Sequence, residues 1–161
     1  MLNILTYGTD TTRPPLMIVH GLFGSARNWN VIAKRMSETR HVIAPDMRNH
    51  GNSFWADSHS YPDMAADLSE VIHAHGGVVD LVGHSMGGKA AMTLALSEPS
   101  QVARLLVADI APVAYNHSQQ HFIDAMRAVD LRQVTRRADA VAQLAQNVSD
   151  KTLQSFFTQS L

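Results

Sequence analysis

Val78-Val-Asp-Leu-Val82-Gly83-His84-Ser85-Met86-Gly87-Gly88-Lys89-Ala90-Ala91 is the most telling segment of the sequence. It reads as a buried strand over Val78–Val82, a turn over 83–88 and an alanine-rich helix ending at Glu98-Pro99. Gly83-His-Ser-Met-Gly87 matches G-x-S-x-G, and strand-before, helix-after is the context that pattern requires. So tight a turn strains the serine backbone and needs glycine where side chains would collide. It also sets Ser85 Oγ near a helix N-terminus, whose dipole favours developing negative charge. A glycine-rich turn with an incidental serine is the bland alternative. Gly83 to Lys89 also fits G-x-x-x-x-G-K, a phosphate-cradling loop, with Leu105-Leu-Val-Ala-Asp109 as a magnesium-binding strand end. Against that, Ala90 stands where a Ser or Thr should ligate magnesium, and the loop follows the third strand, not the first.

On either side of this segment, strand-like and helix-like stretches alternate. Leu16-Met-Ile-Val-His20, His41-Val-Ile-Ala-Pro45 and Leu105-Leu-Val-Ala-Asp109 read as further buried strands. Asn28–Met36 has helical spacing, with Trp29, Ile32, Ala33 and Met36 expected on the buried face. Ser60-Tyr-Pro-Asp63 is a helix start, with a serine cap, early proline and carboxylate, and Gly76-Gly77 is its stop. Such alternation predicts an α/β fold with a mostly parallel sheet covered on both faces. After Pro112 the strands cease. Three helical segments follow, carried by Phe122, Ala125, Met126 and Val129, by Ala138, Val141 and Leu144, and by Leu153, Phe156, Phe157 and Leu161. Phe156, Phe157 and Leu161 are expected to lack partners.

Composition narrows the function. The 161 residues suit one domain of the ordinary ~100–200. Thirteen Lys+Arg against fourteen Asp+Glu give a formal net charge of −1, which argues against a nucleic-acid or membrane-surface binder. The absence of cysteine excludes disulfides, Cys-ligated zinc, Fe–S clusters and a thiol nucleophile. No basic leader and no apolar run near the ~20 residues of a membrane span point to a cytoplasmic protein.

The chemistry centres on two loops. His20-Gly21-Leu22-Phe23-Gly24, after the first clear strand, supplies what a hydrolase needs opposite its nucleophile: a glycine turn that aims an amide at an acyl oxygen. The predicted oxyanion donors are the amides of Leu22 and Met86, with Phe23 the next candidate and a wall of the acyl pocket.

His20-Gly-Leu-Phe-Gly24, Asp46-Met-Arg-Asn-His-Gly-Asn-Ser53, Gly83-His-Ser-Met-Gly-Gly-Lys89 and Asp109-Ile-Ala-Pro112, in that order, resemble the α/β-hydrolase superfamily, and most of all the small bacterial YbfF-type esterases. The resemblance implies an esterase acting on short or medium acyl esters or thioesters through an acyl-serine, without a cofactor. It implies four recognisable strands in spatial order 4-3-5-6 by the family's count. Residues 1–114 would then form the N-terminal part of the core and 115–161 the start of a helical cap. Ser85 would be the nucleophile, where the family's dehalogenases and epoxide hydrolases need an Asp.

Asp109 occupies the place of a triad acid in this group; the alternative is an aspartate capping a turn before Pro112. Its apolar sequence neighbours suggest a buried carboxylate, costly without a partner. The family's histidine lies on a loop after the last strand. Only His117 and His121 follow Asp109, so the sequence is expected to lack the base and the C-terminal strands. Those two sit four apart, a spacing compatible with a metal pair but lacking a third ligand. His84 is expected to be structural, His20 to pack under the oxyanion loop, and the loop around His50 to be scaffold. If the triad is incomplete, a non-catalytic acyl-binding module stands as the alternative function.

Overall fold

Three short apolar runs build the centre of the molecule. Leu16–Val19 (β2), Val42–Pro45 (β3) and Val79–His84 (β4) are made of Val, Ile, Leu, Met and Ala, with Pro45 the exception in β3 and Asp80, Gly83 and His84 the exceptions in β4. Continuous apolar runs of this kind are what a parallel strand covered on both faces requires, and β2 and β3 are buried at every residue. The computed structural model describes residues 1–9, 12–116 and 118–161. Two further strands, Ile4–Tyr7 (β1) and Val102–Ala108 (β5), complete a sheet of order β1-β3-β2-β4-β5. Pairing is parallel from β3 to β5, in the order anticipated for the four recognisable strands, and antiparallel between β1 and β3.

Alternation along β2 sorts its side chains into two clusters. Met17 and Val19 join Leu68, Val71 and Ile72 of helix α2 (Tyr61–Ala74) and Ala90, Ala91 and Leu94 of helix α3 (Met86–Ser97). Leu16 and Ile18 face the other way, onto Ala33 of helix α1 (Asn30–Met36) and Val42. Fully burying each Leu or Ile side chain contributes about 1.5–3 kcal/mol. The start of α2 is as read: the Ser60 side chain accepts the Asp63 amide. The face of α1 is not. Ala33 alone is buried in that helix, while Ile32 is 48% exposed and Met36 also faces solvent. A 3-10 turn over Ala26–Trp29 precedes this seven-residue helix, and only one of its turns reaches the sheet.

At the strand ends remote from Ser85, Asp80 accepts from Arg40 at 2.5 Å and from Arg104 at 2.9 Å. Burial pushes its carboxyl up, but the two guanidinium groups outweigh that and hold it below the usual carboxylate range. Strand β5 forms an open edge, with Ala103–Leu106 exposed on both faces.

The chain divides into two compact units, Met1–Pro112 and Val113–Leu161. The second contains α4 (Gln120–Arg127), α5 (Arg137–Leu144) and α6 (Lys151–Phe157) around buried Ala125, Ala140, Leu144, Val148 and Phe157. Asp150 caps α6 by accepting the Thr152 and Leu153 amides. Contrary to the reading that its aromatics lack partners, Phe157 is buried, with Phe122 at 5.1 Å and Phe156 at 5.9 Å between ring centroids. Leu161 does stay exposed. No helix among the described residues is long and apolar enough to cross a membrane.

Candidate active site

Ser85 is the single residue between the end of β4 and the start of α3. Its backbone lies at φ 51°, ψ −117°, a conformation that costs a non-glycine residue about 1–3 kcal/mol. Two hydrogen bonds pin it: the Ser85 amide donates to Ala108 O at 3.0 Å, and Ser85 O accepts the Lys89 amide at 3.1 Å. At this φ/ψ the side chain makes no capping bond, although serine normally caps a helix from this position. The hydroxyl is therefore left at a half-exposed site beside the first amides of a twelve-residue helix. This geometry argues against the phosphate-loop reading, because the single residue between β4 and α3 cannot arch around a phosphate.

Glycine is required on both flanks. A Cβ on Gly83 would lie 2.4 Å from Gly87 O, and one on Gly87 would lie 2.5 Å from His20 O and 2.7 Å from Val19 O. The helix thus sits directly on the end of β2, which brings the loop after β2 against the serine. A Cβ on Gly21 would be 3.2 Å from Ser85 Cβ. Gly21 is therefore brought against Ser85, and Met86 follows Ser85 as the first residue of α3. Met86 opens α3, so its amide has no partner one turn back. Among the described residues none accepts from the Leu22 amide.

The direction of that Leu22 amide follows from peptide planarity. Gly21 O accepts from His20 Nδ1–H at 2.8 Å and from the Gly24 amide at 3.1 Å. In a trans peptide the N–H points opposite to its C=O, so the Leu22 N–H is turned away from those two donors. His20 itself is 1% exposed, and its Nε2 accepts the Met47 amide at 2.9 Å. Burial lowers its pKa to about 4, so the ring is neutral, with the proton on Nδ1. Phe23 is half-buried at φ 62°, and its amide donates to His50 Nε2 at 3.2 Å. Its role as alternative oxyanion donor is weakened by that bond.

The 46–53 loop is the scaffold. The Asp46 carboxylate accepts from Ala26 N at 2.8 Å, Asn52 N at 2.9 Å and Asn3 Nδ2 at 2.8 Å. Arg48 forks onto Asp67 of α2 at 2.5 and 2.8 Å. Gly51, at φ 54°, lies so close that a Cβ would meet the Asp46 carboxyl at 2.4 Å. The individual roles of Asp46, Arg48 and His50 were not read from the sequence. The loop was read as scaffold, but the partners Asn3, Phe23 and Asp67 lie 19 to 43 residues away.

Asp109 departs from expectation. It follows β5 at φ 59°, and its side chain is 87% exposed, not buried among apolar neighbours. Because β5 is an edge strand, its end faces solvent. The partner found for Asp109 is His84 Nε2 at 3.7 Å, on a ring 40% exposed that stands edge-on to Trp29. His121 of α4 lies against Phe122, with ring centroids 3.9 Å apart; His117 lies outside the described residues. No group of three or more His, Cys, Asp or Glu side chains suited to a metal occurs among the described residues.

Known proteins match this arrangement. The family model for the alpha/beta hydrolase fold matches residues 14–161. Over 156 residues the chain is 40% identical to the sn-1-specific diacylglycerol lipase ABHD11 of Danio rerio, covering 91% of this chain and 49% of that protein. It is 36% identical over 151 residues to Esterase YbfF of Escherichia coli, covering 91% and 58%. A solved marine microorganism esterase superposes with a TM-score of 0.91 at 36% identity, covering 98% of this chain and 62% of that one. The chain spans about half the length of the curated relatives it matches. With its elbow, its sheet order and this match over most of its length, the chain belongs to the α/β hydrolase fold family.

Proposed function

We propose that this chain carries the nucleophile and oxyanion hole of a serine hydrolase that cleaves small-molecule carboxylic esters or thioesters. The single observation that carries the reading is Ser85, held at φ 51° with its hydroxyl uncapped at the N-terminus of α3 and Gly21 against it. Ser85 Oγ attacks the acyl carbonyl, forming an O–C bond while its proton passes to a base. The oxygen that gains charge is received by the amides of Leu22 and Met86 and by the helix dipole. The tetrahedral adduct collapses, the alcohol or thiol leaves with the proton, and water then hydrolyses the acyl-serine. Phe23 lines the acyl side. No metal or cofactor enters these steps.

Asp109 is assigned to orient the base. The base is neither His20 nor His50, because both nitrogens of each ring are already bonded. With the oxyanion hole but no placed base, turnover is expected to stay within ~10³–10⁴ of the water reaction. Asp109 exposure is the observation favouring the second reading, an acyl-binding module that does not turn over. Hydrolysis of p-nitrophenyl butyrate by the folded chain and by Ser85→Ala tests the choice. A rate above the water reaction that falls to background in the variant supports the esterase. Equal rates in the two proteins reject it.

A further inference from the structure

The two peptide planes flanking Leu22 are each held by a buried histidine. His20 holds the plane between Gly21 and Leu22 through Gly21 O. The next plane, between Leu22 and Phe23, is reached from another loop: the Phe23 amide donates to His50 Nε2 at 3.2 Å, across 27 residues of sequence. His50 is buried, and its Nδ1–H donates to Arg48 O at 2.9 Å, which fixes the tautomer and leaves Nε2 as an acceptor. Its ring has two ring neighbours, His20 tilted at 59° with centroids 5.1 Å apart and His59 stacked at 28° at 5.6 Å. Arg48 is in turn forked onto Asp67 of α2, so the acceptor stands on a braced support.

Resting on the reading of Ser85 as nucleophile, we propose that His50 is a positioning residue of the oxyanion hole: its Nε2 holds Phe23 in the left-handed region and thereby fixes the Leu22 amide toward the reacting carbonyl. Fixing the planes on both sides of one Cα leaves that residue no free rotation, so His50 completes what His20 begins. Pre-set donors of this kind stabilise a transition state without reorganising during the reaction. Phe23 at φ 62° is the strained element in this arrangement, and the imidazole acceptor offsets the strain. Burial lowers the basicity of His50, against its bond to Arg48 O and the nearby Asp46 carboxylate, so Nε2 stays an unprotonated acceptor near neutral pH.

Two variants and one direct measurement test this. His50→Phe keeps a ring and removes the acceptor; His50→Gln restores an acceptor at the same reach. Phe23 amide exchange, followed by NMR, should accelerate at least ~10-fold in His50→Phe and return to within ~3-fold of wild type in His50→Gln. That follows from the exchange expected of an amide released to water. The rate of Ser85 labelling by a fluorophosphonate should follow the same order, with a loss of ~10-fold or more in His50→Phe. In the wild-type chain, the ¹⁵N spectrum of His50 at pH 7 should show a protonated Nδ1 and a bare Nε2. A protonated Nε2, or unchanged Phe23 exchange in folded His50→Phe, overturns the proposal. Unchanged labelling in that variant overturns it as well. If wild-type Ser85 takes no label, the nucleophile reading fails, and the exchange and ¹⁵N results alone decide whether His50 holds the loop.

Discussion

The two sides of Ser85 are held in opposite ways. On one side, the Gly21–Phe23 backbone is fixed by His20 and His50, which rest on a loop organised by Asp46 and Arg48. On the other, Asp109 extends into solvent with a 3.7 Å approach to His84. The proposed oxyanion donors are backbone amides, and the paired strands, the closely approaching glycines and the two histidine side chains set where they point. A triad acid works through a side chain whose orientation depends on the base it serves. Nothing in the Met1–Pro112 unit gives Asp109 a second fixed contact among the described residues. Rigid geometry and exposed chemistry thus divide the site.

Breaking the rigid side should have large effects. Asp46→Ala strands the buried Ala26 amide and removes the part-buried bonds from Asn52 N and Asn3 Nδ2. With about 1–3 kcal/mol for an unsatisfied buried donor and less for the other two, a loss of about 2–4 kcal/mol is expected in urea unfolding. A loss under 1 kcal/mol would deny Asp46 its role as scaffold. Gly87→Val drives a Cβ into the backbone carbonyls of Val19 and His20 and should destabilise by about 3 kcal/mol. A thermal midpoint unchanged from wild type would contradict that close packing.

Acid provides the next test. His20 is buried neutral, with a pKa of about 4 against 6.5 when unfolded. The unfolded chain therefore binds the extra proton first, so stability falls as pH drops from about 6.5 to about 4 and levels off below. The shift corresponds to up to about 3 kcal/mol. His20→Gln should flatten this dependence in unfolding curves measured across that range; a slope equal to wild type would assign it elsewhere. On the exposed side, Asp109→Asn should change stability by less than about 0.5 kcal/mol. A loss above 1 kcal/mol would show that Asp109 is held as firmly as the oxyanion loop and would erase the contrast.

Much of this was legible in the sequence, for reasons that particular residues make plain. Leu16–Val19 and Val79–Val82 announce buried parallel strands because every position is apolar or paired, and Ser60 announces a helix start through its own local bond. The Gly-x-Ser-x-Gly turn carries its strain at Ser85 and its close packing in its glycines. Strand β1 was missed, because four residues on an antiparallel edge, three half-buried and one exposed, have no signature apart from their pairing with β3. Asp109 was misjudged for the same reason: its neighbours are apolar, but strand position, not composition, decides exposure. The His50–Phe23 bond joins two turns 27 residues apart, and no local pattern encodes it.

The proposal that Ser85 is an activated nucleophile facing a formed oxyanion hole is put to the proof by covalent trapping. The folded chain would be treated with a fluorophosphonate and examined by intact mass and peptide mapping. The prediction is one adduct, located on Ser85 and absent from a folded Ser85→Ala variant. No adduct on the wild-type chain, or an adduct that persists in Ser85→Ala, would contradict the claim.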